Sequence, residues 1–313
     1  MRTGMVGQWL ASGELTLPLP GGGATAVRWC RLADLTEMDI VAGRLAEAHT
    51  DAVAILAELD GPQPEPDQLW GVWAAEAPDA VVRADGEGNA VTLEGTKAWC
   101  SGAGLCSHAL VTARLAGDER GLFAVDLRHP AVSPLPSTWR NPGMAQSDTR
   151  AVQFSGARAV AVGRPGEYLS RPGFWHGAIG VSACWLGGAR SVARPLYERA
   201  RSERADPHAL AHLGAVDAAL AAAEAILLAA AAEIDADPLN RKGSAELTAR
   251  RVRAVVETAV DETINRSARA LGPAPLSQDA DHAQRVADLT MYVRQSHAER
   301  DLEQLGRLAG GQP

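Results

Sequence analysis

A tryptophan and a serine two residues apart, Trp99 and Ser101, are the residues whose types and spacing best fit cofactor chemistry. They end a run, 91–102, that alternates like a strand, so both side chains are expected on one face. A broad aromatic face beside a hydroxyl donor suits a planar heterocycle such as a flavin ring. The alternative is that the tryptophan fills a core, as strand tryptophans more often do.

A second set of candidate residues continues an apolar stripe of the last predicted helix. The stripe runs through Val286, Leu289 and Val293, and at helical spacing it continues to Ser296, His297 and Arg300. Polar groups on an inward stripe must be satisfied or functional, which makes His297, with Glu299 beside it, a candidate for acid–base chemistry. The alternative is a salt-bridged helix end formed by His297, Glu299, Arg300 and Asp301.

Composition excludes several classes of function. The chain has 313 residues and a formal net charge of −8, which argues against a nucleic-acid partner. Its one short basic run, 250–253, is interpreted as a solvated helix face. The four cysteines show no metal-ligand spacing with histidine, so no metal site is predicted and a cytoplasmic protein with reduced thiols fits best. We expect no membrane span and no signal peptide.

Three parts that must position the candidate residues follow one another along the chain. The first, 1–68, contains short extended runs such as 14–17, then one amphipathic helix over 34–59 that Asp34 or Thr36 could cap, and a proline-rich linker at 61–66. The second, 69–165, changes to period two. It predicts a hairpin around 80–93 and strands at 109–113, 122–127 and 151–154, as in a small sandwich or barrel.

The third part, 170–310, is rich in alanine, leucine and arginine with helical periodicity. Breaks at 206–207, 237–243 and 272–275 divide it into four long helical segments. Short connections between long amphipathic helices predict an antiparallel four-helix bundle.

The order of these parts and four local motifs resemble the acyl-CoA dehydrogenase superfamily over residues 69–308. The motifs are Gly71–Glu76, Leu93–Gly102 with its Gly-x-Lys-x-Trp-x-Ser core, Asn141–Thr149 and Gly180–Arg190. The resemblance implies an α+β, acyl-CoA dehydrogenase-like fold. That fold has a shortened N-terminal helical region, a central antiparallel β-barrel or sandwich that walls the flavin and substrate, and a C-terminal four-helix bundle.

The resemblance also implies FAD as cofactor and assigns its contacts. Trp99 is expected to stack on the xylene edge of the flavin and Ser101 to donate toward N5, with the backbone from Trp73 to Ala75 at the pyrimidine edge. The positions that match the family's phosphate and adenine contacts are Arg201, Arg204, Arg269 and Gly272. Arg204-Ala205 replaces a Phe-Gly pair and Gly272-Pro273 a Gly-Gly turn, so a remodelled adenosine half is expected, and Arg201 could equally be a solvated helix residue.

The usual catalytic base of the family is missing. Family dehydrogenases remove the α-proton of an acyl thioester with a glutamate, and the matching position here is Ser296, which cannot act as that base unaided. Some members carry the base early in the first bundle helix, near His176, although a surface or helix-start histidine explains that residue as well. Glu76 matches a family glutamate and is expected to be structural.

Three functions remain open at this point. The resemblance implies flavin-dependent α,β-dehydrogenation of an acyl thioester such as acyl-CoA, with a relocated or altered base. The alternatives are a catalytically silent chain that pairs with an active dehydrogenase-like subunit, and a flavin monooxygenase on the same fold that uses His176 or His297. Each implies a homo-oligomer or a hetero-oligomer with a related chain.

Overall fold

The computed structural model describes residues 3–86, 91–202 and 206–311. Two compact units emerge from its internal contacts. The first comprises the described residues up to Leu17, those of Leu45–Arg140, and Ala145–Phe174; the second comprises Pro18–Arg44, Asn141–Met144 and the described residues from Trp175 onward. The three-part division at 1–68, 69–165 and 170–310 stays a prediction.

The N-terminal region is helical, but not as the sequence predicts. Its helices are α1 (Thr3–Ala11), α2 (Thr25–Met38) and α3 (Ile40–Glu58). A single helix over 34–59 is therefore wrong, and 14–17 form no strand. The break lies at Asp39, which is extended (φ −152°, ψ 117°) and accepts a hydrogen bond from the Ala42 N–H at 2.9 Å. Asp39 caps the next helix. The apolar periodicity continues across this position, so the sequence pattern does not indicate the break.

The strands close into a barrel, which confirms the predicted β architecture. They are β1 (Trp70–Trp73), β2 (Val82–Asp85), β3 (Val91–Cys100), β4 (His108–Arg114), β5 (Arg120–Asp126), β6 (Val132–Pro134) and β7 (Arg150–Val162). The ring runs β4-β2-β3-β7-β5 and closes through the β4–β5 pairing. β1 joins β4 in parallel and β6 joins β7. The hairpin of β2 and β3 is antiparallel, and its turn residues 87–90 lie outside the described residues.

Alternating side chains give the sheet two apolar faces. One face encloses a core that includes Trp73, Leu93, Phe123 and Phe154. The other packs Trp70, Leu110 and Leu122 against Ile55 and Leu56 of α3. The barrel is thus fixed on both sides, and its loops can carry exposed residues without loss of the core.

The C-terminal region is helical, as predicted, but its last predicted helix is divided into shorter helices. Its helices are α4 (Glu167–Ser170), α5 (Gly173–Ala200), α6 (Pro207–Ala236), α7 (Ala245–Leu271), α8 (Ala274–Gln278), α9 (Ala280–Tyr292) and α10 (Glu299–Gly310). Three are long, whereas the fourth predicted segment is divided. The stripe from Val286 does not continue to His297, because α9 ends at Tyr292 and Ser296 is extended (φ −66°, ψ 146°).

The basic run 250–253 is not simply a solvated face. Arg251 is exposed, as predicted. Arg253 instead places its guanidinium 4.6 Å from the ring centroid of Trp185 and donates to the Ala178 carbonyl at 3.0 Å. This arginine therefore joins α7 to α5 by a cation–π contact and a hydrogen bond.

One helix among the described residues, Pro207–Ala236, is long and apolar enough to cross a membrane by length and composition. No such span was expected from the sequence. Its most apolar window is 33% buried, and one such helix by itself does not establish a membrane span.

Candidate functional site

Trp99 lies in a β-bulge at the end of β3. The β3–β7 register shifts between Lys97 and Cys100, and Trp99 has a φ of +60°. Its side chain is 59% exposed and meets Trp139 edge-on, with 6.4 Å between ring centroids. The simple alternation that predicted Trp99 and Ser101 on one face is therefore wrong, because the bulge interrupts the strand. A non-glycine residue held at positive φ is strained, and such strain is typical of functional sites.

A chain of hydroxyl groups follows the bulge. Ser101 Oγ lies 2.9 Å from Thr149 Oγ1, which lies 2.7 Å from Ser147 Oγ. The Trp73 indole N–H donates to the Ser101 carbonyl at 2.9 Å, so the buried Trp73 anchors the turn from behind. Trp73 therefore contacts Ser101 as a buried anchor rather than as an exposed ring, and the assignment of Trp73, Trp99 and Ser101 to one flavin wall stays a prediction.

Hydrogen bonds join the turn after Ser101 to the Asn141–Thr149 motif. Gly102 and Ala103 donate their N–H groups to the carbonyls of Ser147 and Asp148 at 2.8 and 3.2 Å. The Asp148 carboxylate accepts from the Gly104 N–H at 2.8 Å and from Arg150 at 2.7 and 2.8 Å. Burial opposes ionisation of Asp148, but these donors outweigh it and hold its pKa below the ordinary value. The two motifs therefore form one rigid edge.

Glu76 is held by the buried Lys97 ammonium and by the Thr112 hydroxyl. Its Oε1 accepts from Lys97 Nζ at 3.3 Å and from Thr112 Oγ1 at 3.2 Å. Lys97 also donates to the carbonyl and hydroxyl of Thr112 at 3.0 and 2.8 Å. Burial lowers the pKa of Lys97, and the Glu76 carboxylate opposes that shift. These contacts support the structural role expected of Glu76.

The catalytic candidates differ in burial. His176, in the first turn of α5, is 3% exposed, which suits a group enclosed in a site. The side chain of His297 is 68% exposed and its Nδ1 lies 3.6 Å from Asp301. Glu299 is exposed in the first turn of α10. The inward position expected for His297 is therefore wrong, because the helix that would have placed it there has already ended.

A carboxylate that sequence reasoning missed lies beside Ser296. Ser296 Oγ donates to Oε2 of Glu257 at 2.5 Å, and the Glu257 side chain is 18% exposed. Arg294 approaches the other oxygen at 3.8 Å. Glu257 belongs to α7, 39 positions before Ser296. Such a pairing leaves no signal in a single sequence. The position where the family has a glutamate thus carries a hydroxyl bonded to an acid from another helix.

The residues predicted for the phosphate and adenine half of the cofactor lie at helix ends. Arg201 follows α5 and is exposed, Arg269 is exposed in the last turn of α7, and Gly272 ends that helix with a φ of +73°. Arg204 lies outside the described residues. Since α5, α6 and α7 are joined by short connections, the C-terminal ends of α5 and α7 are at the same end of the bundle.

Two other residues of the wall also escaped the sequence analysis. Thr149 was part of a quoted motif, so its hydroxyl could have been singled out as a partner for Ser101. Trp139 lies in a proline-rich loop without periodicity, and nothing in the sequence pairs it with Trp99.

Comparison with family models supports this description of the β region. Residues 73–157 match the model described as acyl-CoA dehydrogenase, middle domain. The match contains Trp99, Ser101 and Thr149. No curated protein sequence matches this chain.

Solved structures of similar fold cover nearly the whole chain. Methanesulfinate monooxygenase MsuC from Pseudomonas fluorescens superposes with a TM-score of 0.81 and 19% identity, covering 96% of this chain and 88% of its own. TdsC from Paenibacillus sp. A11-2, solved with FMN and indole, gives 0.77 and 19%, covering 90% and 82%. Nitrososynthase from Micromonospora carbonacea var. africana gives 0.78 and 18%, covering 97% and 88%. At these identities the likeness shows the fold.

Proposed function

We propose that this chain, which has the fold of the acyl-CoA dehydrogenase superfamily, is a flavin-dependent monooxygenase whose flavin is reduced by a separate reductase. The observation that carries the proposal is Ser296: a hydroxyl stands where the family's dehydrogenases have their carboxylate base. Removal of an α-proton needs a base of tuned pKa at the substrate, and a serine alone does not supply one. The residues proposed for the flavin wall, Trp99 and Ser101, are present, so loss of that base favours another flavin reaction.

The residues of the wall fit a flavin ring. Trp99 presents an exposed indole on strained backbone, and Ser101 supplies a hydroxyl whose second partner, Thr149, is already in place at 2.9 Å. An aromatic face and a fixed donor are what a planar, nitrogen-rich ring requires. A structure of the same fold holds FMN.

We propose FMN in preference to the FAD that the resemblance implies. The family's Gly-Gly turn, which contacts the adenosine half, is Gly272-Pro273 here, and proline adds a ring where a second glycine would leave the backbone open. The Phe-Gly pair is also replaced, by Arg204-Ala205. Chromatography of the flavin released from the denatured protein identifies it as FMN or FAD.

When bound, reduced flavin supplies two electrons, so that one atom of dioxygen enters the substrate and the other leaves as water. The protein's part is to exclude bulk water and to move protons. Trp99 would cover the flavin ring and Ser101 would donate a hydrogen bond to it, while Thr149 and Ser147 could exchange protons with Ser101 along the hydroxyl chain. His176, buried at the start of α5, is the candidate acid–base group.

A dehydrogenase is the second candidate, and Glu257 is the observation that favours it. Its carboxylate lies 2.5 Å from Ser296 Oγ, so an acid is available beside the position of the missing base. In that case Ser296 would pass the substrate proton to Glu257. The substrate would be an acyl thioester, as the resemblance implies.

The test begins with the absorbance spectrum of the purified protein, alone and after addition of FMN or FAD. The flavin-bound protein is then mixed without oxygen with a panel of acyl-CoAs, and separately with NADH and a flavin reductase. We expect reduction only through the reductase, followed by oxygen consumption when air is admitted. Bleaching by an acyl-CoA that is abolished by Glu257→Gln would establish the second candidate. A protein that binds no flavin would instead be a silent partner chain.

An oligomer is also proposed. The exposed side of α6 carries Leu210 and Leu228 among alanines, an apolar face that another chain can cover. Light scattering on the eluted protein, alone and with a related dehydrogenase-like subunit, distinguishes a homo-oligomer from a hetero-oligomer and a monomer.

A further inference from the structure

A cavity of about 190 Å³ lies in the first unit, outside the wall formed by Trp99 and Ser101. Its sheet side is formed by the end of β1 and by β4 and β5, and its other side by residues 166–174. The lining residues that matter here are Glu76, Thr112, Arg120, Tyr168, Leu169 and Phe174. An apolar cavity of about 150 Å³ is sufficient for a benzene molecule, so this one holds a single small ring with a substituent.

Charge pairing on the sheet side leaves one cation in excess. The buried Lys97 pairs with the partly exposed Glu76 at 3.3 Å, and Arg114 is paired with Asp118 at 2.6 Å. Arg120 has only a distant contact, 3.9 Å from Nε to the Glu76 carboxylate that Lys97 already engages. Among the described residues no other ion pair involves Arg120. Its side chain is 45% exposed and lines the cavity.

The opposite side of the cavity is aromatic. Tyr168 and Phe174 meet edge-on with 5.7 Å between ring centroids. Arg171 lies 5.3 Å from the Tyr168 ring centroid. It forms an ion pair with Glu58 at 2.6 Å, which neutralises its charge. A ring edge and the Leu169 side chain are apolar surfaces on which a planar ligand can pack.

We infer that this cavity binds a small aromatic carboxylate, whose ring packs on Phe174, Tyr168 and Leu169 and whose carboxylate pairs with Arg120. Guanidinium and carboxylate form two parallel hydrogen bonds, which a neutral or cationic substituent cannot reproduce. A cationic ligand would be repelled by Arg120 and would not be offset by Glu76, since that carboxylate is bound by Lys97 and Thr112. The inference concerns binding alone and does not depend on the flavin.

The experiment is a calorimetric titration with benzoate as probe, compared with benzamide and benzylamine of the same size. We expect benzoate to bind about tenfold or more tightly than benzamide, and benzylamine not measurably, because only benzoate forms charge-assisted bonds with Arg120. Arg120→Gln should weaken benzoate binding about tenfold and abolish the preference over benzamide. Arg158→Gln, an exposed arginine of β7 outside the cavity, is the matched control and should be unchanged.

A second variant tests the cavity itself. Leu169 is 43% exposed, so Leu169→Trp should fold, and its larger ring occupies the space of the ligand ring. It should weaken benzoate and benzamide alike. The inference is overturned if benzoate does not bind, if it binds no better than benzamide, or if Arg120→Gln and Arg158→Gln weaken it equally. Because flavin-free protein serves for every titration, these outcomes are independent of the test for flavin chemistry.

Discussion

The Ser296 hydroxyl donates to the Glu257 carboxylate, with 2.5 Å between Oγ and Oε2. Ser296 stands where the family's dehydrogenases have their carboxylate base, and it also binds a carboxylate from another helix. Its hydroxyl is hydrogen-bonded to Oε2 of Glu257 on α7, while Arg294 lies 3.8 Å from Oε1. Both oxygens of the Glu257 carboxylate thus face a side-chain partner, and Ser296 is the nearer one.

Ser296→Ala should therefore destabilise the protein. A hydrogen bond to a charged group contributes roughly 1.5–3 kcal/mol, and we expect the free energy of unfolding to fall by about 1.5 kcal/mol. Urea denaturation measures this change. Ser170→Ala is the control, since that exposed serine donates to the Gly166 and Glu167 carbonyls over a longer distance of 3.4 Å, and it should have little effect. Equal stability of the two variants would mean that the Ser296–Glu257 contact is not maintained in solution.

Substitutions of Trp99 should affect flavin affinity and protein stability differently. Trp99→Ala and Trp99→Gly should each lower flavin affinity at least tenfold, as measured by fluorescence titration, because both remove the aromatic face. Glycine also relieves the positive φ of +60°, so the Gly variant should be more stable than the Ala variant by about 1 kcal/mol. Trp139→Ala, which removes the edge contact with Trp99, should weaken flavin binding less. Unchanged affinity in Trp99→Ala would remove this strand from the flavin wall.

Periodicity and motifs were enough to predict the fold class and the barrel, while a flavin wall at Trp99 and Ser101 stays a prediction. They failed where a single residue redirects the chain. Asp39 breaks a continuous apolar pattern into two helices, and the bulge at Trp99 interrupts the alternation that first drew attention to it.

Contacts between distant positions were also beyond the sequence. The start of α2 at Thr25 depends on Asp235 of α6, which accepts from the Thr25 hydroxyl at 2.6 Å and its N–H at 3.1 Å. Glu257 likewise reaches Ser296 only through tertiary packing. Such pairs have no local signal, because neither partner is unusual among its own neighbours.

Glu76→Gln should weaken the barrel. It leaves the Lys97 ammonium buried without its counter-charge, a change that costs about 3–5 kcal/mol at fully buried sites. Since the Glu76 side chain is 31% exposed, we expect a smaller loss of about 2 kcal/mol in the free energy of unfolding. Glu94→Gln, an exposed acid on β3, is the control and should change stability little. A similar small change at Glu76 would show that Lys97 is neutral or hydrated in the native protein.

Asp148 should make stability depend on pH in the acid range. Arg150 and the Gly104 N–H hold its pKa below the ordinary value, so the folded protein binds the proton less readily than the unfolded chain. The stabilisation is fully present above the unfolded pKa and is lost as the pH falls through the folded one. The difference in unfolding free energy between wild type and Asp148→Asn should therefore be largest near neutral pH and shrink below about pH 4. Denaturation at a series of pH values measures it, with the exposed Asp79→Asn as control. A difference that stays constant with pH would mean that Asp148 acts through packing rather than through its charge.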